Sequence, residues 1–352
     1  MKSVAHILFL AAISLLLGLT SCGGDSSTPQ SEPKVETAPT SDPGMAVINQ
    51  LSQKIEGTPN DPSLYAQRAE AYYQKEGYDE AIGDLQKALS MDSTNVAYLH
   101  LLADVYLDYY KSRESLETMQ KAVRLNPDNA FSLLKLSEFQ LILKKQKEAL
   151  QTLDQLLRKD PQNAEAFFMM GRVFEDLGDE NRAINSYQTA VENDPQLQEV
   201  WLKLGNLFAK KKNKIALRYF DSAIELDTSD INALFAKGNY LHSNGQLDEA
   251  IALYKKINRI DIQYPDSYYN AGLAYMEKDS IPKAYGYFDL AIKMQPTFAL
   301  AYYYRGLSAQ LQGKFDQARN DYQQTLNLRP DFERAQEGLD ELQQQGKASG
   351  TK

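Results

Sequence analysis

One cysteine, Cys22, and three histidines, His6, His100 and His242, are the only soft nucleophiles and nitrogen ligands in this 352-residue chain. Everything after Cys22 therefore lacks a disulfide, a thiolate zinc cluster or a cysteine nucleophile. His100 and His242 are more than a hundred residues apart and share no metal-ligand spacing. Carboxylates are abundant, as in Glu175-Asp176 and Asp179-Glu180, but they fall in turns and on polar helix faces, where solvation accounts for them. No Gly-rich phosphate loop, His/Asp/Glu metal pattern or Ser/His/Asp arrangement is present. The expectation is a protein with no catalytic residue, no metal and no cofactor. Its cations cluster twice, at Lys144, Lys145 and Lys147 and at Lys210, Lys211, Lys212 and Lys214, which form a candidate basic edge for lipid phosphates or an acidic partner. With 38 basic against 47 acidic residues and a net charge of −9, general binding to nucleic acid is not expected, because that rests on phosphate neutralisation.

The surroundings of Cys22 give it a different chemistry. Lys2 precedes a 13-residue apolar stretch, Ile7 to Leu19, too short for the ~20 residues that span a bilayer as a helix. That pattern reads as a secretory signal. Leu19-Thr20-Ser21-Cys22 then resembles the bacterial lipobox, in which cleavage leaves the cysteine first and lipid-modified. The resemblance implies signal peptide 1–21, a lipid anchor on Cys22 and attachment to a bacterial envelope membrane. Gly23 stands where the inner-membrane retention signal of such lipoproteins has Asp, which favours the outer membrane, on its periplasmic face or at the cell surface. Removal of residues 1–21 takes away Lys2 alone and leaves 37 basic against 47 acidic residues, a charge of −10. Residues 22–44 hold Pro29, Pro33, Pro39 and Pro43 among Ser, Thr and Gly without apolar periodicity, the composition of a disordered tether. It would average roughly 26 Å end to end and reach ~75 Å at full stretch.

The elements that would position any surface are set by a repeat. Pro127, Pro161 and Pro195 are 34 residues apart, as are Pro296 and Pro330, and such a period marks a solenoid. Within one unit, Phe167, Met170, Gly171 and Phe174 share a helical face, and Ala183, Tyr187 and Ala190 share that of a second helix. Leu177-Gly178-Asp179 separates the two, and Pro195 ends the second, because proline lacks an N–H and clashes with the preceding turn.

This pattern resembles the tetratricopeptide repeat. Trp201, Leu204, Gly205 and Phe208 match the family string in the fifth unit. Tyr268, Gly272, Tyr275, Ala284, Phe288, Ala291 and Pro296 follow it in the seventh, and Tyr302, Gly306, Ala318, Tyr322 and Pro330 in the eighth. The resemblance implies an all-α solenoid, a right-handed superhelix of eight helix-turn-helix repeats over 62–330, starting near 62, 96, 130, 164, 198, 231, 265 and 299. Residues 45–61 and 331–345 read as capping helices and 346–352 as a disordered tail. The fifth repeat is one residue short, within Lys210 to Lys214, the sixth lacks its closing proline, and the first ends with Ser93 in place of one, so repeats five to seven are expected to bend differently from the rest.

In the resembled family the first helix of each pair lines a concave groove. Its outward positions here supply Phe168, Leu202, Phe235, Tyr269 and Tyr303, with Asn206, Asn239, Met276 and Leu307 beside them. An aromatic row on a concave wall suits peptide capture; the same row could equally be packing between neighbouring helices. The two-carboxylate clamp of chaperone-binding members is absent, since no repeat has lysine at its fifth position. The resulting expectation is a non-catalytic scaffold that presents this groove to a protein or peptide partner, for envelope complex assembly. The alternative is a module for cell-wall fragments or glycans that uses the Tyr-rich groove. An enzyme would require a non-repeat fold among residues 205–265.

Overall fold

The computed structural model describes residues 42–349, with side chains through Gln344. The signal segment, Cys22, the tether up to residue 41 and the last three residues lie outside the described residues. Helix α1 (Pro43–Gly57) precedes eight helix pairs: α2 (Pro62–Tyr73) with α3 (Tyr78–Met91), α4 (Val96–Asp108) with α5 (Ser112–Leu125), α6 (Ala130–Ile142) with α7 (Gln146–Lys159), and α8 (Ala164–Asp176) with α9 (Glu180–Asn193). Then come α10 (Gln198–Lys210) with α11 (Ala216–Leu226), α12 (Ile231–Ser243) with α13 (Leu247–Ile260), α14 (Pro265–Glu277) with α15 (Ile281–Met294), and α16 (Ala299–Leu311) with α17 (Phe315–Leu328). Helix α18 (Glu333–Ser349) closes the stack. The regular structure of the described residues is all helical, an α-solenoid. Pro43 and Gly44 belong to α1 rather than to the tether, and α18 continues past residue 345, so residues 346–349 are helical where sequence alone suggests a disordered tail.

Local chemistry sets each boundary. Asn95, Asn129 and Asn163 cap α4, α6 and α8 by accepting from the N–H groups of Tyr98, Ser132 and Ala166. Such a cap is worth about 1 kcal/mol. The fifteenth residue of every repeat is left-handed: Glu76, Tyr110, Lys144, Gly178, Lys212, Gly245, Asp279 and Gly313, with φ from 52° to 76°. Only three are glycine, so five turns hold a side chain in a conformation that costs an L-residue about 1–2 kcal/mol.

A size-matched lock joins the two helices of each pair. Where the first helix carries Gly171, Gly205, Gly238, Gly272 or Gly306, the second carries Tyr187, Phe220, Tyr254, Phe288 or Tyr322 against it. All five rings are at most 1% exposed. At the equivalent positions the first three repeats carry Ala69, Ala103 and Ser137 on the first helix and the smaller Leu85, Met119 and Leu153 on the second, all of them buried. Small faces large throughout, which lets the backbones approach without leaving a void. In the fifth repeat the missing residue comes out of the turn. Helix α11 starts late, at Ala216, and spans 11 residues where its counterparts span 14, so Phe220 still meets Gly205.

First helices of neighbouring pairs approach one another at α2 and α4, α6 and α8, α10 and α12, and α12 and α14. No two second helices come as close. The first helices therefore form the inner wall of the stack and the second helices its outer face.

Candidate functional site

The inner wall changes chemistry along its length. From repeats two to five it is a ladder of ion pairs, each crossing a seam between repeats. Lys135 pairs with Asp104 at 2.7 Å, Arg172 with Glu138 at 3.3 Å and Lys203 with Glu175 at 3.4 Å. Glu175 also accepts from the Tyr187 hydroxyl at 2.7 Å. Burial raises the Asp104 carboxyl above its ordinary range even though Lys135 acts against it. His100 lies beside this pair, 3.0 Å from the Ser132 hydroxyl and against the Phe131 ring. Burial and then the Lys135 charge lower its pKa to about 4, so it is neutral at physiological pH.

At repeats five and six the wall becomes neutral and opens. Leu202, Asn206 and Ala209 of α10, Phe220 of α11, and Asn232, Phe235, Ala236, Asn239, Tyr240 and Ser243 of α12 surround a cavity of about 410 Å³. Four of the nine sequence-predicted groove residues, Leu202, Asn206, Phe235 and Asn239, meet here. The seam between α11 and α12 is the loosest step from a second helix to the next first helix, as expected where α11 has lost nearly a turn. Asn239 accepts from the Tyr254 hydroxyl at 2.8 Å. The Tyr240 hydroxyl is buried and has no hydrogen-bond partner among the described residues.

From repeat seven onward the wall is aromatic. Tyr269 is half-buried among Phe298 at 5.0 Å, Tyr304 at 5.8 Å and Phe288 at 5.9 Å. Tyr303 sits equally among Phe332, Tyr304 and Tyr322. Burial raises the Tyr269 and Tyr303 hydroxyls above their ordinary pKa, so both stay protonated. Met276 packs into the same cluster, and Leu307 is half-buried on α16. Phe168 and Phe235 likewise rest on Tyr187 and Tyr254 of their own repeats. In the fifth-position row the four rings pack at a tilt against a ring on the second helix of their own repeat, Leu202 packs beside Phe220, and each side chain remains partly exposed. Asn206 is exposed on the wall.

The basic edge is largely neutralised. The intervening turn of repeat four supplies Asp176 to Lys144 and Glu180 to Lys210 and Lys211, and Lys145 pairs with Glu148. Lys147, Lys212 and Lys214 make no ion pair among the described residues. His242 bonds Glu277 at 2.9 Å and faces the Tyr254 ring. Sequence reasoning missed Phe220, Asn232, Tyr240 and Ser243. The signal that marks them is the shortened fifth repeat, which locates the open seam.

Among the described residues no helix is long and apolar enough to cross a membrane. Sequence models described as tetratricopeptide repeat match residues 62–95, 164–197 and 265–298, residues 100–164, 219–252 and 299–332, and one described as TPR repeat matches 238–279. Together they cover well over half of the chain. RNA polymerase II-associated protein 3 of Mus musculus is 32% identical over 111 residues, a match that covers 32% of this chain and 17% of that protein. The Rattus norvegicus protein of the same name is 31% identical over the same span. The chain thus spans under a fifth of the length of the curated relatives it matches. The C-terminal part of a TPR repeat-containing protein from Cytophaga hutchinsonii superposes with a TM-score of 0.58 at 18% identity, covering 67% of this chain and 98% of that one. YrrB, a TPR protein with an unusual peptide-binding site, is 28% identical with a TM-score of 0.46, covering 53% of this chain and 96% of its own.

Proposed function

The chain belongs to the tetratricopeptide repeat family, and from that premise we propose that it is a scaffold which holds a segment of a protein partner along its inner wall at a bacterial envelope membrane. Tetratricopeptide repeat proteins generally mediate protein–protein interactions, and their scaffold is generally non-catalytic. One observation carries the reading to this wall: it runs from paired charge through a neutral cavity to an aromatic cluster, with the aromatic side chains left half-exposed. A self-neutralised first half does not demand a charged partner, and half-exposed rings are the anchors that dominate binding energy at interfaces.

The membrane part of the proposal rests on Leu19-Thr20-Ser21-Cys22 behind its apolar stretch. Several acyl chains at Cys22 would anchor the protein stably where one would not. The tether would let the solenoid stand clear of the surface. Cell fractionation of wild type and Cys22→Ser tests this half: the wild type is expected in the membrane fraction, outer rather than inner, and the variant in the soluble fraction. Tight membrane attachment of Cys22→Ser would refute the anchor. Crosslinking in cells with mass spectrometry tests the other half: a dominant protein partner linked through repeats four to eight is expected. Crosslinks confined to the outer face would refute capture on the inner wall.

A further inference from the structure

The cavity at the seam of repeats five and six has hydrogen-bonding capacity that nothing in the fold uses. Asn206 and Asn232 make no side-chain hydrogen bond among the described residues, and Asn239 is engaged only through its carbonyl oxygen, which leaves its NH₂ group available. Tyr240 lines the cavity, is 5% exposed, lies with its ring 6.3 Å from that of Phe220, and has a buried hydroxyl without a partner among the described residues. A buried hydroxyl left in this state is costly unless something pairs with it.

Charge is absent from the lining. Apart from Tyr240 no lining residue is ionisable, and the charged neighbours of these lining residues in sequence include Lys203, Lys237 and Asp230, which are engaged with Glu175, Asp221 and Gln198. A charged group placed here would be desolvated without a counter-ion. Leu202, Ala209, Phe220, Phe235 and Ala236 supply an apolar surface around the amides. About 410 Å³ lies within the range of small-ligand pockets, roughly 300–1,000 Å³. The loss of a residue from the turn before α11 is what opens this seam, and every other pair keeps a 14-residue second helix.

We propose that this cavity is a subsite for an uncharged amide with an apolar substituent, whose carbonyl accepts from the Tyr240 hydroxyl and whose amide is met by Asn206, Asn232 and Asn239. Rings and amides complement such a group, and a carboxylate or ammonium in its place is rejected. The proposal rests on the reading that the inner wall holds a segment of a partner, and it names the chemistry of that segment at one point: neutral, carrying a backbone or side-chain amide next to a small apolar group.

The test uses the full chain and three matched probes, N-acetyl-leucinamide, N-acetyl-leucine and leucinamide, titrated by saturation-transfer NMR. The neutral probe is expected to bind saturably, and the two charged ones at least about tenfold more weakly. Tyr240→Phe should weaken the neutral probe about five- to tenfold. It should also leave the melting temperature unchanged or raised, because the hydroxyl makes no bond within the protein. Ala236→Leu, which fills the cavity, should abolish probe binding. Equal binding of all three probes, indifference to Tyr240→Phe, or a marked loss of stability in that variant would each overturn the subsite. Crosslinking to a partner through repeats four to eight is scored separately. Capture without probe selectivity sinks the subsite and leaves the wall reading standing, whereas probe selectivity without capture does the reverse.

Discussion

Alanine at Gly272 and alanine at Gly286 should act in opposite directions, although both lie in repeat seven. A methyl group at Gly272 would sit 2.6, 2.8 and 3.0 Å from Cε1, Cδ1 and Cζ of Phe288. Ordinary carbon contacts lie at about 3.5–4.0 Å, so the ring must retreat by about 1 Å. It has nowhere to go, being fully buried and packed between Tyr304 at 5.7 Å and Tyr269 at 5.9 Å. Overpacking of this kind costs about 1–3 kcal/mol, against which better helix propensity returns up to about 1 kcal/mol. With that return in full, the net for Gly272→Ala is a loss of up to about 2 kcal/mol. At Gly286 nothing lies within 4 Å, so alanine should add about 0.5–1 kcal/mol. The assay is chemical denaturation of both variants beside wild type, with near-UV circular dichroism to report the tyrosine cluster. Gly272→Ala should unfold earlier and alter the aromatic signal, and Gly286→Ala should unfold later and leave it alone. A double-mutant cycle adds Phe288→Leu, which should cost at least about 1 kcal/mol less in the alanine background than in wild type. If Gly272→Ala is as stable as Gly286→Ala, or the cycle shows no coupling, the size-matched lock does not hold the aromatic wall in place.

The remaining predictions use other parts of the stack. Tyr110→Gly should stabilise by about 1 kcal/mol, because Tyr110 is 92% exposed on a left-handed backbone and loses little packing; a lower denaturation midpoint would show that its ring is structurally engaged. Arg305 bridges Asp321 and Asp289, both at 2.6 Å, and Asp321 is buried. Arg305→Ala should therefore cost about 3–5 kcal/mol, and a loss below about 1 kcal/mol would show that the pair is already well solvated. The folded-state pKa of His100 falls from 6.5 to about 4, so its contribution to stability is complete above pH 6.5 and is lost as pH falls through about 4. His100→Gln should flatten the stability profile in that window, and an unchanged slope would remove His100 as its source.

The fold was largely legible because its signals are local. Proline spacing, the Leu177-Gly178-Asp179 break and the apolar face of Phe167, Met170 and Phe174 depend on neighbours within a turn or two. Gly171, Gly205 and Gly272 are legible as members of the helical face and of the family string, although their contacts with rings on the second helix emerge only from packing. The left-handed turns were hidden, since Glu76, Tyr110, Lys144, Lys212 and Asp279 give no sign of a positive φ. The candidate site was legible in part. Its positions on the first helices could be counted off, but their environments could not. The ion pairs Asp104–Lys135 and Glu138–Arg172 join residues about one repeat apart, and no periodicity of charge announces them. The neutralised lysine edge follows the same logic, because Asp176 and Glu180 reach Lys144 and Lys210 only through the stacking of adjacent turns. Tyr240 was invisible because a tyrosine with a partner and one without read alike in sequence.

Site-specific photocrosslinking in the native cell tests the central claim most directly. A photoreactive residue would replace Asn206 or Leu307 on the inner wall and, as a matched control, the exposed Leu290 or Ile260 on second helices. The account predicts one discrete polypeptide adduct from both inner positions and none from the outer ones. Adducts of equal yield from Leu290 or Ile260, or a silent inner wall beside a reactive outer face, would contradict capture by the first helices.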